Sequence, residues 1–213
     1  MGVTNEASGG DGKLMQRYNV LVALGDCHAT AGNPSPAKEC YEQAAELEPD
    51  RAEPYIGLGV LALQNEDLVN AEAAFRVAVR LDGCSAKAWC GLGMICQTRQ
   101  QFAEAQEHYL RSLDKDCDNL TALLGLFQSS CQMGSFSKVI HYLEVYLEMH
   151  PGDTAVMFCL ATLYVRDGRL QEARKLLWDV LTFSSDNSDA ANLLEEVENK
   201  LSVRKSVGAA SNG

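Results

Sequence analysis

The residues able to do chemistry are few in kind and scattered in place. Eight cysteines, Cys27, Cys40, Cys84, Cys90, Cys96, Cys117, Cys131 and Cys159, form no C-x-x-C pair, and His28, His108, His141 and His150 share no metal-ligand spacing. Thiolate and imidazole hold zinc when four of them converge, and this pattern supplies no such set. The cysteines are expected as free thiols that behave as small hydrophobes. The run Asp114-Lys-Asp116-Cys-Asp118-Asn119 has the alternating acids of a calcium loop, but Gly125 stands where the bidentate glutamate should fall. Capping of the next helix is its expected role. Phosphate loops, G-x-G-x-x-G, H-E-x-x-H and G-x-S-x-G are absent from the sequence. No catalytic residue, no metal and no cofactor is expected, so the chain reads as a binder and not an enzyme.

Charge and hydropathy bound what it binds. The 213 residues carry 18 Lys and Arg against 29 Asp and Glu, a net charge of -11. A phosphate backbone is repelled by such a surface, and no basic run overrides it, so nucleic acid is excluded as a partner. No apolar run approaches the ~18 residues that span a bilayer, and no integral membrane segment is expected. The start MGVTNEASGGDGK lacks a basic and an apolar signal region, and Glu6 stands where N-myristoylation requires Ser or Thr. A cytoplasmic protein is expected. With 46% hydrophobic residues, 7% aromatic and 5 Pro, the composition favours helix over strand.

The elements that must position any binding residue come from a repeat. Leu24, Leu58, Leu92, Leu126, Leu160 and Leu194 stand 34 residues apart without an insertion. Three residues ahead of them run Leu21, Tyr55, Trp89, Leu123 and Met157. Thirteen residues behind run the small residues Ala37, Ala71, Ala105, Val139 and Ala173, and four further on the large Tyr41, Phe75, Tyr109, Leu143 and Leu177. Within each unit, apolar residues recur at helical spacing over two stretches separated by a short polar turn, which makes each unit a helical hairpin. One hairpin cannot bury its own apolar face, so neighbours must stack. Small residues let helices approach closely, and the large residue beside them fills the gap.

These columns resemble the tetratricopeptide repeat. The resemblance implies an all-α solenoid, a right-handed superhelix of antiparallel helix pairs, with five units at 18–51, 52–85, 86–119, 120–153 and 154–187. Residues 188–201 are expected as a capping helix, with Glu195, Glu196, Glu198 and Lys200 on its outer side; residues 1–17 and 202–213 are expected as mostly disordered tails.

The resemblance also implies that the first helix of each unit lines a concave groove. The lining columns hold Val22, Ile56, Cys90, Leu124 and Phe158; then Asp26, Val60, Met94, Gln128 and Thr162; then Leu63 and Gln97. Gly57, Gly91 and Gly125, one residue before the leucine, are expected to leave room on the groove floor. The Lys, Asn and Arg set with which some relatives grip a carboxylate is represented by Lys87 alone, so the expected ligand is an apolar helix or extended peptide. A scaffold or adaptor for a protein or peptide partner is the leading function. The alternatives are a self-assembling structural protein coating an organelle or complex, with Trp178 as an outward anchor between copies, and an accessory subunit of an enzyme complex.

Overall fold

The computed structural model describes residues 7–210, with side chains from 12 to 203. Among these residues it holds eleven helices and no strand: α1 (Ala7–Thr30), α2 (Pro34–Leu47), α3 (Glu53–Gln64), α4 (Leu68–Leu81), α5 (Ala86–Thr98), α6 (Phe102–Lys115), α7 (Leu120–Met133), α8 (Ser137–Met149), α9 (Thr154–Arg166), α10 (Leu170–Phe183) and α11 (Ser188–Ala210). Consecutive helices pair into the hairpins that the 34-residue period requires, and the array is a tetratricopeptide solenoid.

Every first helix stops in the same way. Just past its end the backbone turns left-handed, at Gly32, Glu66, Gln100, Gly134 and Gly168, with φ between 59° and 78°. The following N–H then reaches back to a helical carbonyl: Asn33 to His28, Asp67 to Ala62, Gln101 to Cys96, Ser135 to Ser130 and Arg169 to Tyr164, at 2.8–3.3 Å. Glycine enters this cap without strain because it has no Cβ, whereas Glu66 and Gln100 enter it at a cost. The third, fourth and fifth units and α11 open on side-chain caps, whereas α3 opens at Ala52 without one. Ser85 Oγ accepts from the Ala88 N–H at 3.3 Å, Asn119 Oδ1 from Ala122 at 3.1 Å, Asp153 Oδ1 from Val156 at 3.1 Å and Asn187 Oδ1 from Ala190 at 2.9 Å. Asn119 therefore does the capping expected of the acidic run, and Asp116 Oδ1 accepts from the Asp118 N–H within it.

The chain divides into two compact units, Met1–Gly125 and Leu126–Gly213, with the boundary inside α7. In the first, the large column and the glycines interlock. The Tyr41 ring lies against Gly25 and Gly57, Phe75 against Gly59 and Gly91, and Tyr109 against Gly93 and Gly125; a Cβ on any of the six would fall under 3.0 Å from ring carbons. The glycines expected to open the groove floor are therefore seats for rings from the second helices, and the space is full. In the second unit the same column holds Leu143 and Leu177, which are buried, as are Leu126, Val139, Leu160 and Val180.

Two ends differ from the sequence expectation. Helix α1 begins at Ala7 and α11 runs to Ala210, so residues 7–17 and 202–210 are helical where tails were expected; residues 1–6 and 211–213 lie outside the described part. Once a repeat has nucleated a helix, each further residue adds one hydrogen bond for one pair of dihedrals, and extension is cheap even through glycine. The α1 extension is also anchored: buried Tyr18 donates its hydroxyl to Glu53 Oε2 at 3.0 Å, and Arg51 lies over the Tyr18 ring at 5.7 Å. At the other end Ala190, Leu194, Val197 and Leu201 of α11 are buried while Glu195, Glu196, Glu198 and Lys200 face solvent, the pattern of a cap. Leu24 is 45% exposed, because no helix of the described residues precedes α1 to cover it, while its counterparts Leu92, Leu126, Leu160 and Leu194 are buried. None of the described helices is long and apolar enough to cross a membrane.

Candidate peptide-binding face

Helix geometry sorts the first helices into two sides. At about 100° per residue, Ile56, Val60 and Leu63 share one side of α3, opposite Leu58 and Asn65. Helices α1, α3 and α5 lie side by side, so equivalent residues form columns across them. On this side Val60 is 40% exposed, Met94 39% and Leu124 39%, three large apolar side chains in solvent on successive first helices. Val22, Ile56 and Leu63 are half-buried, and the latter two pack against the cluster around Phe75. Leu120, one turn before Leu124, is also exposed. Sequence reasoning missed it because its column holds Tyr18, Ala52 and Ala86 elsewhere; only its spacing of four from Leu124 signals a shared side.

Three residues expected in this lining have other duties. Cys90 is buried in the core, and that burial pushes its thiol up to about 12, so it is a protonated packing group at neutral pH. Tyr41 Oη donates to Asp26 Oδ1 at 2.7 Å, and Tyr109 Oη donates to Gln97 Oε1 at 2.6 Å. These acceptors edge the face but are bound to the interlocking rings. Burial first, then the Asp26 bond, holds the Tyr41 hydroxyl well above its ordinary range. Phe75 has no hydroxyl, and the matching positions in its unit are the apolar Val60 and Leu63.

The remaining candidates lie in the second unit. Gln128 is exposed on α7; Phe158 and Thr162 are half-buried on α9, with Thr162 Oγ1 donating to the Phe158 carbonyl at 2.9 Å. Trp178 points outward from α10 and is 55% exposed, so α11 leaves it in solvent. All eight cysteines are unbonded, and among the described residues no group of three or more His, Cys, Asp or Glu stands ready to hold a metal ion.

Comparison with known proteins bears on this geometry. The model of the cilia and flagella-associated protein 70 C-terminal domain matches residues 6–200. Among curated proteins, cellulose synthase operon protein C of Xanthomonas axonopodis pv. citri (strain 306) is 28% identical over 197 residues, 86% of this chain and 13% of that protein. The CTR9 homolog of Arabidopsis thaliana is 27% identical over 128 residues, 60% of this chain and 12% of that protein. This chain thus spans about an eighth of those relatives. Among solved structures, Pseudomonas aeruginosa pilF superposes with a TM-score of 0.72 at 18% identity, covering 92% of this chain and 90% of that one. YrrB, described as a TPR protein with an unusual peptide-binding site, has a TM-score of 0.64 at 17% identity, covering 81% and 89%. At these identities the structural likeness is one of fold. The family match extends over all five repeats and most of the capping helix, and on that ground the chain belongs to the cilia and flagella-associated protein 70 C-terminal domain family of tetratricopeptide-repeat proteins.

Proposed function

We propose that this chain is a protein-interaction scaffold, without a reaction of its own, that holds an apolar helix or extended peptide against the first-helix face of its amino-terminal unit. The observation that carries the proposal is the group Val60, Met94 and Leu124, each about two-fifths exposed: Val60 and Met94 hold the same repeat position on α3 and α5, and Leu124 stands one helical turn earlier on α7, in the column of Ile56 and Cys90. A lone exposed leucine needs no explanation, but apolar side chains on one side of three successive first helices form a patch that association would cover. Burial of such surface contributes about 25 cal/mol per Å². The likeness to YrrB, whose structure is described by its peptide-binding site, supports a peptide as the occupant.

The test uses Val60→Asp with Met94→Asp, since both side chains are exposed, whereas Ile56 also packs against the core. The double variant should keep its helical circular dichroism and urea midpoint yet fail to retain the partner captured by the wild type. Retention by a folded variant would remove this face from the function. The exposure of Trp178 favours a second reading, self-association through α10. Light scattering separates the two: a mass of more than one chain that falls to one on Trp178→Ala supports assembly, and a monomeric wild type excludes it.

A further inference from the structure

On the side of α3 opposite the apolar face, α2 and α4 flank a hollow of about 350 Å³. Leu58, Leu61, Ala62 and Ala74 make its apolar floor, and Lys38, Glu42, Asn65, Asp67 and Asn70 stand around its rim. One repeat later the same register is filled. Cys96 replaces Ala62, Arg99 replaces Asn65, Glu104 replaces Asn70, His108 replaces Ala74, and Glu72 replaces Lys38. There Arg99 Nη1 crosses from the end of α5 to Glu72 Oε2 at 2.6 Å, Arg76 Nη2 pairs with Glu72 Oε1 at 2.6 Å, and Cys96 Sγ meets Glu104 Oε2 at 4.0 Å. The floor leucine under that bridge, Leu92, is buried, while Leu58 under the hollow is only half-buried. The hollow is the place where this repeat lacks the arginine that the next repeat provides for itself.

We propose that the hollow between α2 and α4 is a docking site for an arginine side chain of a protein partner. An arginine lays its aliphatic stem on apolar surface while its planar fork reaches polar groups, which matches a floor of Leu and Ala beneath a rim of carboxylates and amides. The rim holds one ammonium, Lys38, against two carboxylates, Glu42 and Asp67. Asp67 is already engaged, accepting from the Asn70 N–H at 3.1 Å and from Asn70 Nδ2 at 2.6 Å. Glu42 is held only by Lys38 at 3.6 Å across a solvent-exposed pair, so it is the carboxylate a guanidinium displaces Lys38 to reach. A net charge of -11 on the whole chain draws cationic segments toward such a rim. The site is separate from the first-helix face and does not rest on it.

Amide chemical shifts of the 15N-labelled full chain, followed during titration with Nα-acetyl-arginine N-methylamide, test the assignment. Ala62, Asn65, Asn70 and Ala74 should shift together and saturably, the corresponding leucine amide should leave them in place, and Glu42→Gln should raise the apparent Kd at least about two-fold, the scale of an exposed ion pair. Lys38→Glu with Asn65→Arg rebuilds the bridge of the next repeat and should abolish the shifts. Should that variant not fold, the leucine probe and Glu42→Gln still decide. Equal shifts with leucine, no clustered response to arginine, or an unchanged Kd in Glu42→Gln would each overturn the proposal.

Discussion

Gly91 shows what one residue does in this array. With Gly59 it walls the Phe75 ring, and a methyl group there falls on ring carbons of a fully buried side chain. Gly91→Ala should therefore destabilise by about 1–3 kcal/mol, the range for overpacking a closed core, measured by urea unfolding. Gly152, with nothing near its Cβ direction, is the control and should stay within about 0.5 kcal/mol. If the two variants unfold alike, the rings are free to step aside. The glycine column was legible in the sequence, but its meaning was inverted. A missing side chain is visible in a sequence; its filler is not, because Phe75 lies 16 residues from Gly59 and 16 from Gly91 and meets both only through packing. The burial of Cys90 and the bonds of Asp26 and Gln97 to Tyr41 and Tyr109 were hidden for the same reason. Their columns were right, and what they touch was decided by the neighbouring second helix.

The helices repeat their ends as faithfully as their cores, and there two units break the rule. Glu66 and Gln100 occupy left-handed backbone that glycine occupies at the same place in the other three units. Replacing either with glycine relieves strain of about 1–3 kcal/mol while adding unfolded-state freedom of about 0.4–1 kcal/mol. The expected net, at the middle of these ranges, is a stabilisation of about 1.3 kcal/mol, seen as a rise of a few degrees in Tm by calorimetry. A lower Tm would mean that the lost side chain contributed more than the strain removed. Hairpin boundaries were readable from the polar turns between apolar stretches. Helix length was not: composition spoke for tails at 7–17 and 202–210, whereas cheap extension of a nucleated helix, with Tyr18 tied to Glu53, made them helical.

For the molecule as a whole, the architecture was legible because a 34-residue period admits few folds, while the partner was not, because binding surfaces are what packing leaves over. The two proposed sites differ in their dependence on the solvent ions that screen a chain of net charge -11. Raising salt from 0.1 M to 1 M shortens the screening length from about 10 Å to about 3 Å. Capture at the Val60, Met94 and Leu124 face should persist through that change, since apolar burial does not weaken with screening, whereas the arginine shifts at the hollow should diminish. Isothermal titration across the salt series separates them, and a strong salt dependence of capture would count against an apolar face.

The rings seated between glycines make chain length a matter of whole numbers. Each ring is walled by one helix of its own unit and one of the next, so none of the hairpins is a self-contained part. Excising residues 26–59 would join Gly25 to Val60 and leave Phe75 between Gly25 and Gly91, both walls in place. Excising residues 29–59 instead would join His28 to Val60 and set Phe75 against an imidazole. Such a protein can lengthen or shorten by a full period starting at any phase of the helix, yet it has almost no tolerance for a fraction of one.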